Sequence, residues 1–396
     1  MQLSSRLERF SEPETLKMAK LGRELRSQGI DIIDLSLGEP DFDTPEHIKE
    51  AAKTAVDQNW SHYPPVAGYP ELREAICQKF KRDNNLDYKP DNIIVSTGAK
   101  QSLAMAVFAV VDNGDEVIIP TPYWVTYSEI VKLAEGTVKL VKTSIDNDYK
   151  LTPEELEAAI TPESKLFIFS SPSNPTGGVY SQKELKGLAE VFKKHPDIFI
   201  ISDEIYEYIN YVGKHESIAQ FDELKDRIII INGLSKGFAM TGYRLGYLAA
   251  NAAVVKGCEK LQGQFTSGAT AVTQRAAITA LTSGLDTTWD MLTEFKARKK
   301  RVLELLSAIP GLKLSEPDGA FYVFPDVSSY FGKKDGEETI ANADDLCMYL
   351  LNKAHVSTVT GRAFGEPACI RISFANSMKK IEGGLQRITD AMKKLK

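Results

Sequence analysis

RIIIINGLSKGFAMTGYRLG, residues 227–246, runs four isoleucines straight towards a lysine set among glycines. A strand with one wet face alternates apolar and polar residues. Ile228–Ile231 do not alternate, so they read as a strand covered on both faces. Asn232 and Gly233 close the run, and Lys236 falls just past its carboxyl end. An ammonium group is costly beside a core. Gly233, Gly237, Gly242 and Gly246 leave room for something to approach the backbone closely.

Four more runs share this texture: NIIVSTGA (92–99), DEVIIPTP (115–122), KLFIFSSP (165–172) and DIFIISDE (197–204). Between several of them lie stretches at helical spacing, such as SQKELKGLAEVFKKH (181–195). Doubly covered strands alternating with helices make an α/β fold, with a mostly parallel sheet between helices. Polar residues gather where the runs end, at Gly98, Asn174, Asp203 and Lys236. Ligands of open α/β sheets bind beyond the carboxyl ends of the strands. Four separated segments therefore point at one place.

After about residue 285 the texture changes. A charged helical pattern (287–309) leads to GAFYVFPDV (319–327) and to the strand-like ACIRISFA (368–375). The amino-terminal part holds a short helix pattern and then IDIIDLSLGEPDF (30–42). We expect a large central domain over residues 41–285. A smaller α+β domain is expected from both termini, residues 1–40 and 286–396. FGKKDGEETIANADD (331–345) reads as a mobile loop or a helix start. The basic run KARKKR (296–301) reads as a solvated helix face.

With 396 residues, 43% apolar and 26% charged, the chain has the make-up of an ordinary globular protein and can bury a core. A net charge of −6, with no basic arm or stripe, argues against a nucleic-acid partner. No run of about 18 apolar residues is present, so no membrane span is expected. MQLSSRLERF lacks the apolar segment of a signal peptide, and a cytoplasmic placement is expected. Cys77, Cys258, Cys347 and Cys369 are then expected as reduced thiols. None forms a C-x-x-C pair or a zinc spacing with the five histidines, so no metal is expected.

Lys236 in a confined site would have its pKa lowered by desolvation, which suits a Schiff base with a carbonyl compound. Taken alone it also reads as a lysine snorkelling to water. Asp203, at the end of its strand, could hold a protonated ring nitrogen such as that of pyridoxal phosphate. It could equally cap a helix. Tyr206 follows it in ISDEIYEY, and packing alone would explain it. Asn174 in SPSNPTGGVY projects an amide, or simply forms an Asn-Pro turn. STGAKQS (96–102) joins a strand to a helix whose first N–H groups suit a phosphate, although it is not a P-loop. Ser235 and Arg244 could hold the same anion. Arg371 stands in an apolar strand, shaped to clamp a carboxylate or to serve an internal ion pair. Trp124 in TPYWVTY could stack on an aromatic ring or pack.

Together these segments, in this order, resemble the class I aminotransferases of the aspartate aminotransferase family, pyridoxal-phosphate enzymes of fold type I. The resemblance spans the chain from LSLGEPDFDTP to CIRISFA, and GLSKGFAMTGYRLG fits the family's lysine signature. It implies pyridoxal 5'-phosphate as cofactor and Lys236 as the residue that carries the aldimine and shuttles the proton. Turnover would be ping-pong, through a pyridoxamine form. Asp203 would hold the pyridinium nitrogen, with Asn174 and Tyr206 on the ring's phenolic oxygen and Trp124 stacked on the ring. Gly98, Ala99, Lys100, Ser235 and Arg244 would hold the phosphate. Arg371 would clamp the α-carboxylate, helped by Gly38. Tyr63 matches a tyrosine that reaches the neighbouring subunit's phosphate, which implies a homodimer with shared sites. Lys100 matches a lysine that can take a side-chain carboxylate, and Thr15 a lid residue. The chain has Ser11 and Pro13 where that branch often has a lysine and a serine. Aspartate with 2-oxoglutarate is the leading substrate pair, then prephenate or aromatic amino acids. A β-eliminating C–S lyase of the same fold is a different class of reading. A regulator using the fold as a sensor is another, but only about 40 residues precede the α/β core.

Overall fold

The four isoleucines form a strand, and they divide between two cores. In the computed structural model, which describes residues 3–12 and 14–396, Ile228 and Ile230 pack into one apolar cluster. Ile229 and Ile231 pack into another, on the opposite face of the sheet. All four are fully buried. The same alternation separates Ile200 from Ile201, and Phe167 from Ile168. The side-chain period of two thus sends each isoleucine to alternate sides, and both sides are covered.

The strands in chain order are β1 (Ile33–Asp34), β2 (Ile93–Ser96), β3 (Glu116–Thr121), β4 (Thr137–Lys142) and β5 (Ser164–Ser170). There follow β6 (Phe199–Asp203), β7 (Ile228–Gly233), β8 (Gly246–Ala249) and β9 (Tyr322–Val323). The remainder are β10 (Lys334–Asp335), β11 (Glu338–Thr339), β12 (Val356–Ser357), β13 (Val359–Thr360) and β14 (Ile370–Ser373). Seven of them form one sheet in the order β2-β8-β7-β6-β5-β3-β4. Its pairs are parallel except those made by β8, which runs antiparallel to β2 and β7. The five apolar runs read from sequence are all in this sheet. β4 and β8 complete it.

The helix Gln182–Lys194 starts with a capping box, in which Ser181 and Glu184 satisfy each other's backbone N–H groups. Its buried side includes Leu185, Leu188 and Phe192. A third apolar cluster joins distant parts of the chain: Ile32 and Leu35 near the start, Phe295 and Leu306 of the helix Asp286–Ser307, and Ile372 and Leu385 near the end. β1 pairs in parallel with β12, and β14 lies between β13 and β9.

One expectation is met in part and one needs correction. Residues 331–345 do contain a helix start, where Asn342 caps the helix Ala343–Tyr349, but β10 and β11 form a small antiparallel hairpin before it instead of a loop. The run 296–301 is not wholly solvated. Arg298 is only 7% exposed, pairs with Asp41 at 2.5 Å, and stacks its guanidinium 4.7 Å from the centre of the Phe42 ring. A residue about one helical turn from an inward-facing one shares its face, and Phe295, three residues earlier, is fully buried.

Candidate active site

A cavity of about 530 Å³ opens at the carboxyl ends of the central strands. Lys236, Asp203, Asn174 and Arg371 all line it, with Tyr206 and Trp124. Gly38, Ala99, Lys100, Ser235 and Arg244 complete the expected residues on its wall. Gly98 lies immediately behind Ala99, and a Cβ there would collide with the Arg244 guanidinium. Tyr63 is 93% exposed and is not part of the cavity wall. The side chain of Thr15, and Pro13 before it, lie outside the described residues.

Lys236 stands in the cavity wall between Gly38 and the Asp203 side. Its Nζ donates to the carbonyl of Gly38 at 2.5 Å. Burial pulls its pKa down to about 8; Glu39 pushes the other way, while Arg371 and Arg244 add to the fall. An amine with that pKa is about one tenth neutral at pH 7, roughly 300 times the share of an ordinary lysine, and the neutral amine is the nucleophilic form.

Asp203 sits at the last position of β6, 4% exposed. Desolvation raises its pKa to about 6, against the lowering effect of two donors, the Tyr127 hydroxyl at 2.8 Å and the Ile205 N–H at 3.3 Å. It is therefore an anion at neutral pH. In the folded state it holds more protons than the unfolded chain between its ordinary 3.8 and about 6. Its ionisation thus costs stability as pH rises through that window. A cation bound against it would offset that cost.

Arg371 is the least expected in its surroundings. It is 2% exposed in β14, and no carboxylate lies within ion-pair distance among the described residues. Its Nη1 donates to Asn174 Oδ1 at 3.0 Å and its Nη2 to the Ser36 carbonyl at 2.5 Å. Its Nε has no partner among the described residues. A buried guanidinium with a free donor and no anion fits an incoming carboxylate. Because Asn174 spends its carbonyl oxygen on Arg371, its amide NH₂ remains to donate elsewhere.

At the other wall the helix Ala99–Val110 begins at Gly98 (φ 84°), with no side chain capping its first N–H groups. Arg244 and Ser235 stand at the same end. Gly246 is forced by the fold, since a Cβ there would strike the backbone of Ala99. Open helix N–H groups, an arginine and a serine suit a phosphate. Lys100 is exposed at the cavity mouth, its ammonium 5.0 Å from the centre of the Trp124 ring. A phosphate seat, a ring-sized space, an acid and a lysine together fit pyridoxal phosphate.

Among the cavity residues that escaped the sequence reading are two tyrosines. Tyr127, which holds Asp203, lies three residues after Trp124 in TPYWVTY. Tyr322 bonds Tyr206, with their hydroxyl oxygens 2.8 Å apart. Neither had a signal in the sequence: Trp124 precedes the helix Thr126–Leu133, so its spacing to Tyr127 marks no helix face, and Tyr322 stands in an apolar run. The fold also gathers a cluster that spacing did not reveal: Glu204, Glu207 and His215, all buried, have ligand atoms within 4.8 Å of one another. Glu207 is occupied by Lys79, Asn84 and Asn232. His215 lies 3.0 Å from Glu204. The arrangement is a buried ionic network behind Asp203.

The sheet, the cavity beyond its strand ends and the lysine beside a carboxylate-seeking arginine define a cofactor-dependent enzyme acting on small carboxylic acids. The model of the family "Aminotransferase class I and II" matches residues 30–388, and the chain belongs to that family. It is an aminotransferase that uses pyridoxal 5'-phosphate. Amino acids and oxo acids are its substrates. Among relatives, it is 45% identical to the bifunctional aspartate aminotransferase and glutamate/aspartate-prephenate aminotransferase of Petunia hybrida, over 100% of this chain and 84% of the relative. It is 44% identical to the aspartate aminotransferase of Bacillus sp. (strain YM-2), over 98% of each chain. Among solved structures, the aspartate aminotransferase from Rhizobium meliloti superposes with a TM-score of 0.97 at 40% identity, over 100% of both chains. That from Thermus thermophilus with maleate gives 0.92 at 37% identity, over 99% of this chain and 100% of the other. No helix among the described residues is long and apolar enough to cross a membrane.

Proposed function

We propose that the chain transfers the amino group of aspartate to 2-oxoglutarate, yielding oxaloacetate and glutamate. The observation that carries this reading is Arg371, buried without an anion in the cavity of Lys236, with Lys100 as a second cation at the mouth. Two cations suit two carboxylates. The relatives named for aspartate and the solved structure holding maleate, itself a dicarboxylate, support the choice.

Pyridoxal phosphate, when bound, supplies the electron sink that lets the Cα–H bond of an amino acid ionise. Lys236 would hold the cofactor covalently and move the proton at Cα. Asp203 would keep the ring nitrogen protonated through its negative charge. Asn174, through its free NH₂, and Tyr206 would donate to the phenolic oxygen. Gly98, Ala99, Ser235 and Arg244 would hold the phosphate together with the backbone N–H of Lys100, whose ammonium is left for the second carboxylate, and Trp124 would cover the ring. Arg371 would take the α-carboxylate beside Gly38 and so orient Cα towards Lys236. For Thr15 we keep the role of a lid residue.

Addition of aspartate or glutamate to the loaded protein is expected to convert its visible absorbance to the amino form of the cofactor, with phenylalanine much slower. The relatives named for prephenate as well as aspartate make a bulkier oxo acid the second reading. Conversion by phenylalanine or tyrosine alone would sink the dicarboxylate assignment. Pyruvate and ammonia released from cysteine conjugates faster than oxo-acid exchange would move the chain to the lyases.

We also take residues 41–285 as one domain and 1–40 with 286–396 as the other. The separate apolar cluster built from both termini supports that division. A homodimer with shared sites is proposed, with Tyr63 serving the partner's phosphate; its 93% exposure leaves it free to do so. Sedimentation should return twice the mass of the chain, and a monomer active at the same concentration would refute shared sites. The four cysteines are free and buried, which suits the reducing cytoplasm we assign.

A further inference from the structure

Tyr322 has no task in the reading above, yet it touches three parts of the site. Its hydroxyl oxygen lies 2.8 Å from that of Tyr206. Its ring lies beneath Arg371, with the guanidinium carbon 4.5 Å from the ring centre. A Cβ on Gly38 would collide with its hydroxyl, and Gly38 is the residue whose carbonyl accepts the hydrogen bond from Lys236. It is 1% exposed, and β9 holds it in register with Ser373, two residues past Arg371.

A phenol donates one hydrogen bond. Of two hydroxyls in contact, only one can donate to the other. If Tyr206 spends its proton on the cofactor's phenolic oxygen, as the proposed function requires, the proton between the tyrosines must come from Tyr322. We propose that Tyr322 is a positioning residue: it donates to Tyr206, and so frees and strengthens the Tyr206 donor for the cofactor ring. This rests on the assignment of Tyr206 above. Burial pushes the Tyr322 pKa up, and Arg371 against its ring works the other way, because the positive charge stabilises the negative charge that a donating phenol oxygen takes on.

The charged and titratable groups around the pair come from three other elements. Arg371 is on β14, Asp203 ends β6, and Lys236 follows β7. Tyr322→Phe leaves all of them in place and removes one oxygen. The ring beneath Arg371 stays, so KM for aspartate should stay near its original value. The donor to Tyr206 is lost, so the cofactor's phenolic oxygen is held less firmly as an anion and the chromophore keeps its proton to higher pH.

The experiment is a pH titration of the visible absorbance of the loaded protein, for the original chain, Tyr322→Phe, Tyr206→Phe and the double variant. Tyr322→Phe should raise the midpoint by roughly half to one unit, the shift equivalent to one lost neutral hydrogen bond. In the Tyr206→Phe background it should add nothing, because the path runs through Tyr206. A midpoint unchanged by Tyr322→Phe overturns the proposal, as do additive shifts in the double variant. A merely structural tyrosine would lower the thermal midpoint and leave the spectrum alone. If the original chain forms no visible band with the cofactor, the reading of the whole site fails instead, and the two failures are distinguishable.

Discussion

Lys236→Ala is expected to lower kcat by at least about 10⁴-fold, combining the loss of a covalent anchor with that of a general acid–base group. The variant should still fold, because the lysine is confined by glycines and makes one hydrogen bond, to Gly38. After borohydride reduction of the loaded proteins, the original chain should keep the cofactor through denaturing dialysis and the variant should not. The pH behaviour of the original chain supplies a second test. With its pKa held at about 8 by burial, Lys236 becomes neutral well below the ordinary 10.5 of a lysine. Capture of free cofactor should therefore accelerate as pH rises and level off above about 8. The sign for stability follows from the same shift. Between about 8 and 10.5 the unfolded chain holds more protons than the folded one, so the cofactor-free protein gains stability with rising pH. Lys236→Ala should lose that gain. Rapid-mixing absorbance and thermal melts across pH would measure both. More than a hundredth of the original activity in Lys236→Ala would end the assignment.

Arg371→Met should separate function from stability. Truncating one partner of a buried charge pair costs roughly 2–5 kcal/mol, or about 30- to 4,000-fold in kcat/KM. Most of the loss should appear in KM for both aspartate and 2-oxoglutarate, since each carries the carboxylate in question. The cofactor-free protein, by contrast, should melt no lower than the original, and even higher. Arg371 is buried without a carboxylate and with its Nε unpartnered among the described residues, so the empty site carries the desolvation cost of a charge. A methionine removes that cost and fills similar volume. A large drop in melting temperature with unchanged KM would show that Arg371 is structural.

The sheet was readable because its information is local. Ile228–Ile231 are apolar without alternation, and a strand can afford that only when both faces are covered. Lys236, Asp203, Asn174 and Gly98 were readable because each ends such a run, and strand ends point to one edge of the sheet. The hairpin of β10 and β11 was missed because two-residue strands of polar residues carry no periodic signal. Arg298 was misread because a run of like charges hides the residue that shares a face with Phe295.

Five of the seven strands of the large sheet and their burial, the lysine beyond one of them and the family follow from the sequence alone, while the order of the strands in the sheet does not. Tertiary structure alone decided which polar groups meet. Tyr127 reaches Asp203 across 76 residues, Tyr206 meets Tyr322 across 116, and Arg371 finds Asn174 across 197. No local pattern encodes a contact at such separations. Whether Arg371 has an anion of its own depends on every chain segment packed around it. It has none among the described residues, which leaves its charge available for a substrate.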